Sequence, residues 1–369
     1  MTTAQIEIQA VAVLVAVACA LPGVFLILRR MALLSDAISH AILLGIVLAF
    51  FVTRDLSSPL LVVAASATGL LTVLAVELLN RTGRMREDAA IGLVFPFLFS
   101  LGVILISRYA GTVHLDTDAV LLGELAFAPF NRFVAFGIDW GPRALFMMAC
   151  ILALNLLLLM LFFKELKIAT FDPALAAALG ISPAVVHYGL MSSVSLTAVG
   201  SFDAVGSILV VALMIAPPAT AYLITDRLVP LIVWSAAIGA AGAVAGYWIA
   251  HALDASIAGS MASAAGLIFA AAFLFSRNQG LLAATARRHR QRQLFSLHLL
   301  LIHLLHHEDT PEAMEECRLL QLPDHLHWPL RVTRTVVSRA EAEGLIGLDS
   351  GMLRLTVLGR QRAREAMVI

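Results

Sequence analysis

The chain has 369 residues, of which 60% are hydrophobic and only 14% charged, with no net formal charge and a mean hydropathy of +0.91. Soluble domains carry about 25% charged residues, so this composition excludes an ordinary soluble protein and predicts one that crosses a membrane repeatedly. Three cysteines without CxxC spacing exclude a disulfide scaffold, and the absence of a GxxxxGK(S/T) phosphate loop excludes an ATPase of that class.

Nine apolar segments of 16 to 23 residues are candidates for helices that cross a bilayer, which takes about 20 residues. In chain order they cover residues 8–28, 33–52, 60–79, 89–107, 144–163, 184–199, 206–224, 228–250 and 259–275. A further apolar piece, 119–128, is too short to cross and is predicted to be re-entrant or interfacial. Only residues 200–203 separate the sixth and seventh segments, which indicates a tight or broken-helix connection. We therefore predict an all-α polytopic membrane protein with eight or nine transmembrane helices.

Basic residues between the segments predict the orientation, because they concentrate on the cytoplasmic side of a membrane. When nine spans are counted, the basic groups that share one face with the C-terminal tail include Arg29 and Arg30, the loop 81–86, Lys164 and Lys167. The loops on the opposite face mix their arginines with acidic residues. This pattern predicts a cytoplasmic tail and an N-terminus outside.

The part of the chain beyond the spans has a different composition, and twelve of the 23 arginines lie beyond Ala286. We divide the chain into a transmembrane domain, 1–277, a basic juxtamembrane linker, 278–292, that suits anionic lipid headgroups, and a cytoplasmic domain, 293–369. The last region shows a first helix, a second that Thr310 caps, a third that ends at Gly344, a hairpin of two short strands and a closing helix. This order predicts a small winged helix-turn-helix domain.

Two ionisable residues stand inside the second apolar segment. Asp36 and His40 are four residues apart and therefore lie on one face of a helix. Ionisable groups within a span are costly and usually functional, and a carboxylate with an imidazole suits Mn²⁺, Zn²⁺ or Fe²⁺. We interpret the pair as a transient site for a transported metal. The alternatives are an ion pair that braces two helices, or Asp36 as a helix cap.

Two more acidic residues are candidates for additional metal ligands. Asp203 lies at the predicted helix break, although an ordinary position at the outer interface explains it more simply. Glu124 lies on the short apolar piece, where a carboxylate could guard an entrance.

The loop after the fifth segment contains a short helix with clear end signals. Asp172 is predicted to cap its start, Pro173 takes its first position, Ala177 lies within it and Gly180 ends it. Such a helix on the cytoplasmic face could dock a partner protein, or it could be an ordinary loop helix.

The C-terminal domain is rich in histidine. His298, His303, His306 and His307 have Glu308, Glu312 and Cys317 nearby. A metal-sensing site is one interpretation, and a helix whose polar face contains histidine is the simpler one. From Gln291 onward nine arginines face ten acidic residues, so nucleic acid is not expected to be the main partner.

Three stretches together resemble the permease subunits of the bacterial metal-ion ABC transporter family, over about residues 6–277. They are residues 28–41, residues 172–180 and residues 205–217. The resemblance implies a type II ABC importer-like fold in the bacterial inner membrane, a separate ATPase subunit, an extracytoplasmic metal-binding protein and a second permease subunit, identical or different. It also implies that Asp36 and His40 match the intramembrane metal site and that 172–180 matches the coupling helix, with a transported metal ion and no permanent cofactor.

The tail from about residue 294 looks like the winged-helix domain of iron/manganese-dependent repressors, on residues 344–346 and 355–360. The leading hypothesis is therefore an import permease that is not itself an enzyme. An ion-coupled secondary metal transporter and a membrane-tethered, metal-responsive DNA-binding regulator remain open as alternatives.

Overall fold

Long apolar helices dominate the computed structural model, which describes residues 2–54, 58–109, 125–135, 138–276, 279–308, 310–311, 313–349 and 351–368. The chain forms two compact units, Met1–Gly280 and Leu281–Ile369. The first contains α1 Thr3–Leu28, α2 Ala32–Thr53, α3 Pro59–Arg81, α4 Glu87–Tyr109, β1 Arg132–Ala135, β2 Ile138–Pro142, α5 Arg143–Leu161, α6 Phe163–Phe171, α7 Pro173–Ala178, α8 Pro183–Ile224, α9 Leu228–Leu253 and α10 Ile257–Phe275. Among the described residues, eight of these helices are long and apolar enough to cross a membrane. The predicted polytopic, mostly helical architecture is confirmed.

Helix α8 has 42 residues but is interrupted at Gly206, whose φ of 76° and ψ of 165° are not helical. Contacts with α1 show that the chain turns back there. Ser201 lies 3.5 Å from Cys19, measured from Oγ to Sγ. A β-carbon at Gly23 would lie only 2.1 Å from the carbonyl oxygen of Met214, so glycine allows this close contact.

The spacing of these two contacts excludes a straight α8. Thirteen helical residues, from Ser201 to Met214, would advance by about 20 Å, whereas Cys19 and Gly23 are about one turn apart. The arms 183–205 and 207–224 therefore run in opposite directions beside α1, and each has about the length of a span. The predicted broken connection is confirmed, and the sixth and seventh predicted spans are the two arms of α8.

Helix α2, which contains the Asp36–His40 pair, lies among other helices of the first unit. It packs against α3, α4 and α8, while α1 packs against α5, α8 and α9. The turn between α1 and α2 is tight because Arg30 takes a left-handed φ of 61° and Met31 N–H donates to the carbonyl of Leu26 at 2.9 Å. This turn sets the direction in which α2 starts.

A small β-hairpin was not part of the all-α prediction. Strands β1 and β2 pair antiparallel with Ala135 opposite Ile138, and a short 3₁₀ helix, Leu125–Phe130, precedes them. Arg132 of β1 pairs with Asp139 and, at 3.3 Å, with Glu7 at the start of α1. Only residues 125–128 of the predicted short apolar piece are described, and they begin the 3₁₀ helix.

The second unit comprises α11 Leu281–His307, α12 Ala313–Glu316, α13 Leu322–His325, α14 Leu330–Ala342, β3 Ile346–Asp349, β4 Met352–Leu355 and α15 Val357–Val368. Strands β3 and β4 form an antiparallel hairpin with Ile346 opposite Leu355. The unit has its own core of buried side chains, in which Leu300, Leu301 and Leu304 of α11 are fully buried. Residues 281–292, predicted as a linker, belong to α11.

The second tail helix differs from the prediction, because two four-residue helices stand where one longer helix was expected after Thr310. The chain between them bonds to β4 instead of continuing as a helix. Leu353 N–H donates to the carbonyl of Cys317 at 3.0 Å, and Arg318 forms an isolated antiparallel bridge with Met352. These strand-like bonds use backbone groups that a longer α12 would need.

Candidate functional site

Asp36 and His40 face each other on α2. Asp36 Oδ1 lies 3.4 Å from His40 Nε2, and 42% and 27% of the respective side chains are exposed in the single chain. The helix begins at Ala32, so Asp36 lies beyond the capping position and is not the helix cap. Both residues belong to one helix, so the pair does not brace two helices either. The carboxylate and the imidazole share one open face, as the spacing predicted.

Aromatic side chains pack against the pair, and the neighbouring serine hydroxyls form hydrogen bonds within α2. The ring of His40 lies against Phe95 and Phe99 of α4, with centroid separations of 5.9 and 6.0 Å. The hydroxyls of Ser35 and Ser39 both donate to carbonyls of their own helix at 2.8 Å. Asp36 and His40 are thus the groups that this face offers to an ion.

The pair offers fewer ligands than a metal ion normally takes. In the part of one chain that the structure describes, no third histidine, cysteine or acidic residue joins Asp36 and His40 in a group that could hold an ion. Asp203 lies exposed on α8, three residues before the break at Gly206. Glu124 lies outside the described residues. Two ligands hold an ion weakly, which suits a site that must release it.

The short helix α7 has the predicted ends. Asp172 Oδ1 accepts a hydrogen bond from Leu175 N–H at 2.9 Å, and Pro173 occupies the first position. Gly180 ends the segment with a left-handed φ of 80°, and its N–H donates to the carbonyl of Ala177 at 3.1 Å. The helix is therefore held at both ends by its own residues.

The outer surface of this segment is apolar although it lies in a loop between spans. Phe171, Leu175 and Leu179 are 61%, 48% and 59% exposed, while Ala176 is buried. The preceding helix α6 is tied to the turn before α2, because Arg29 Nε donates to Thr170 Oγ1 at 3.2 Å. A displacement of α6 and α7 would therefore act on the turn from which α2 begins.

A buried asparagine that joins three helices has no counterpart in our sequence interpretation. Asn155, 4% exposed, donates to the carbonyl of Ala18 at 3.2 Å and to Thr197 Oγ1 at 2.8 Å, and accepts from Ser193. It joins α5, α1 and α8. A lone asparagine within an apolar segment was the available signal, because such a group must find partners.

Glu77, near the end of α3, also has partners on two helices. It accepts from Arg81 of its own helix at 2.5 Å and from the hydroxyl of Tyr188 on α8. The bond with Tyr188 links α3 to α8.

Comparison with known families decides the identity of the first unit. The family model described as "ABC 3 transport family" matches residues 4–276. The chain belongs to this family. As an ABC 3 permease it is a multi-pass membrane protein and not itself an enzyme.

Several relatives of this ABC 3 permease have descriptive names. The chain is 48% identical over 362 residues to "Zinc transport system membrane protein TroD" of Treponema pallidum, which covers 98% of both chains. It is 51% identical over 280 residues to "Manganese transport system membrane protein MntD" of Bacillus subtilis, covering 76% of this chain and 95% of that protein. The alignment with the Treponema protein therefore includes the second unit. The alignment with the Bacillus protein covers 280 residues, which is too few to include both units entirely.

A solved structure supports the same assignment. The chain resembles one in "PsaBC from Streptococcus pneumoniae in complex with Fab", with a TM-score of 0.64 and 30% identity, covering 77% of this chain and 96% of that chain. Family, relatives and structure agree on the permease unit.

Proposed function

We propose that this ABC 3 permease imports a divalent transition-metal ion, Mn²⁺, Zn²⁺ or Fe²⁺, across a bacterial plasma membrane. The observation that carries the proposal is the Asp36–His40 pair, 3.4 Å apart on a helix that has no other ionisable residue. Relatives named for zinc and for manganese transport support the same class of cargo. Their names disagree on the metal, so the cargo is assigned as a class.

The ligand types of the pair favour transition metals over calcium and magnesium. A neutral imidazole binds Mn²⁺, Zn²⁺ and Fe²⁺, whereas Ca²⁺ and Mg²⁺ prefer oxygen ligands alone. The negative charge of Asp36 would offset part of the free energy that the ion loses when its hydration shell is removed. The imidazole of His40 would favour transition metals over Ca²⁺ and Mg²⁺. The remaining positions would be filled by water or by other protein groups, among which Asp203 and Glu124 are candidates.

A second permease subunit, identical or different, would cover the exposed face of the pair. A carboxylate that is 42% exposed in a single chain cannot face hydrocarbon without a large cost, whereas a polar pathway between two subunits would hydrate it. The ion would then pass between the subunits beside Asp36 and His40.

Transport would be driven by a separate ABC ATPase subunit that binds α7. The helix capped by Asp172 and ended by Gly180 presents the exposed apolar residues Leu175 and Leu179 for this contact. The Arg29–Thr170 hydrogen bond would transmit the movement of α6 and α7 to α2. An extracytoplasmic metal-binding protein would deliver the ion on the opposite side.

We further propose that the second unit is a cytoplasmic winged-helix domain that follows a membrane domain with its N-terminus outside. The order α11, α12–α13, α14, hairpin, α15 supports this fold. The basic start of α11, which contains Arg287 and Arg288, would lie near anionic lipid headgroups. Because acidic residues offset the arginines of the unit, DNA binding is not proposed as its main role.

The energy source separates the importer from a secondary transporter. Uptake of radioactive Mn²⁺ or Zn²⁺ should continue when an ionophore collapses the ion gradients while ATP is maintained, and an ATPase subunit should copurify with the chain. Uptake that follows the gradient and needs no ATPase would replace the proposal by the ion-coupled transporter.

A further inference from the structure

Four side chains of the second unit converge although they come from three separate segments. His303 and His307 are one turn apart on α11, Glu316 ends α12, and His325 ends α13. One potential ligand atom each of His303, His307 and Glu316 lies within 4.8 Å of the other two. His325 Nδ1 lies 3.0 Å from Glu316 Oε2, and His303 Nε2 lies 3.6 Å from the same oxygen.

These side chains lie at the edge of the core and are partly buried. The side chains of His303 and Glu316 are only 12% and 20% exposed, and that of His325 is 34% exposed. His303 Nε2 also lies 3.1 Å from the carbonyl oxygen of Glu316, so the backbone at the end of α12 is fixed against α11. The cluster is therefore preformed by the fold of the unit.

His307 provides an independent indication that the cluster holds an ion. Its Nδ1 is buried and has no hydrogen-bond partner among the described residues. A buried polar atom without a partner is costly, and coordination to a metal ion would remove that cost.

The donor set matches a specific class of ion. His303, His307 and Glu316 form the close group, and His325 contacts it through Glu316. Three imidazoles and one carboxylate are donors that Zn²⁺ and neighbouring divalent transition metals accept, whereas Ca²⁺ and Mg²⁺ prefer oxygen ligands alone. In a tetrahedral site with metal–ligand bonds of about 2.0–2.1 Å, ligand atoms lie about 3.3 Å apart. The separation of 3.0 Å between His325 Nδ1 and Glu316 Oε2 is close to that value, and the ligand atoms of His303, His307 and Glu316 lie within 4.8 Å of one another.

We propose that the second unit binds one divalent transition-metal ion through His303, His307, Glu316 and His325. This site is distinct from the Asp36–His40 pair, and it does not depend on the proposed transport function. The bound ion would cross-link α11 to α12 and α13, so that metal occupancy controls the stability of the unit. The chain would thus contain a retained ion in addition to any transported one.

The test counts Zn²⁺ on the full-length protein, purified in detergent through a tag without histidine. Asp36→Ala and His40→Ala are introduced together to remove the membrane pair. After chelation and equilibrium dialysis against Zn²⁺, this protein should retain one ion per chain. Adding His303→Gln and His307→Gln should remove it, whereas adding His298→Gln, on the same helix, should leave it bound.

Two further measurements cover a variant that fails to fold. His325→Gln changes a ligand that is 34% exposed, and it should weaken Zn²⁺ binding by at least about tenfold. Substitution of residues that only support metal ligands already costs about 10–100-fold in affinity. Co²⁺ in place of Zn²⁺ should give the visible absorption bands of a tetrahedral site, and the same substitution should alter them. The proposal is overturned if the Asp36→Ala/His40→Ala protein retains no Zn²⁺, or if substitution of the four residues leaves binding unchanged.

Discussion

Two pairs of residues that contain histidine have the same spacing on a helix, but they differ in the number of potential ligands around them. Asp36 and His40 on α2, and His303 and His307 on α11, are each four residues apart on one helix. On α2 the pair stays alone in the described part of the chain, and its carboxylate is 42% exposed. On α11 the pair meets Glu316 and His325. Because the α11 pair has more potential ligands nearby, we expect it to retain an ion, whereas the α2 pair should release one readily.

The largest effect is expected from the docking segment, which should separate transport from metal binding. Leu175→Asp places a charge in the apolar surface of α7 that we assign to the ATPase contact. We expect ATP-dependent uptake to fall to background and the ATPase to be lost on purification, while the second unit keeps its Zn²⁺. Ala178→Ser, an exposed position on the same helix, serves as the control and should retain uptake. Normal uptake by Leu175→Asp would remove α7 from the coupling mechanism.

A smaller effect is expected from a core substitution that lowers the stability of the second unit alone. Leu300 is fully buried in the core of the second unit, so Leu300→Ala should cost about 2–5 kcal/mol of unfolding free energy there. Limited proteolysis and Zn²⁺ retention should report this loss. Uptake should persist, because the permease relative from Bacillus subtilis aligns over 280 residues only. A parallel loss of uptake would show that transport depends on the second unit.

The smallest effect concerns selectivity at the α2 pair. His40→Asp keeps two ligands but makes both of them oxygen donors, which favours harder ions. We expect the preference for Zn²⁺ over Mn²⁺ to fall by about tenfold, or about 1.4 kcal/mol. Competition between the two ions in uptake measures the ratio. An unchanged ratio would mean that His40 does not contact the ion.

Local patterns predicted the parts of the molecule that depend on neighbouring residues in the chain. The Asp36–His40 face follows from helix periodicity, and the ends of α7 follow from the capping preferences of Asp172 and Gly180. The reversal in α8 was indicated by the four residues that separate two apolar segments. Each of these features lies within a few residues of sequence.

Features that depend on tertiary contacts were not predictable in the same way. Glu316 and His325 reach His303 only because the chain after α12 bonds to β4, and this bonding also divides the expected second helix. Asn155 links three helices because its partners lie on α1 and α8, which are distant in sequence. Strands β1 and β2 have four and five residues, too few for a clear periodic pattern.

We expect the transported ion to pass Asp36 and His40. The most direct measurement is ATP-dependent uptake of Mn²⁺ and Zn²⁺ into vesicles that contain the complete transporter, with Asp36→Ala or His40→Ala in the permease. His251→Gln and Asp254→Asn, at the end of α9, are the matched controls. We predict that both substitutions on α2 lower uptake by about 100-fold or more, with assembly, ATPase binding and the Zn²⁺ of the second unit unchanged. Uptake and metal preference at the parental level in either α2 variant would contradict the account.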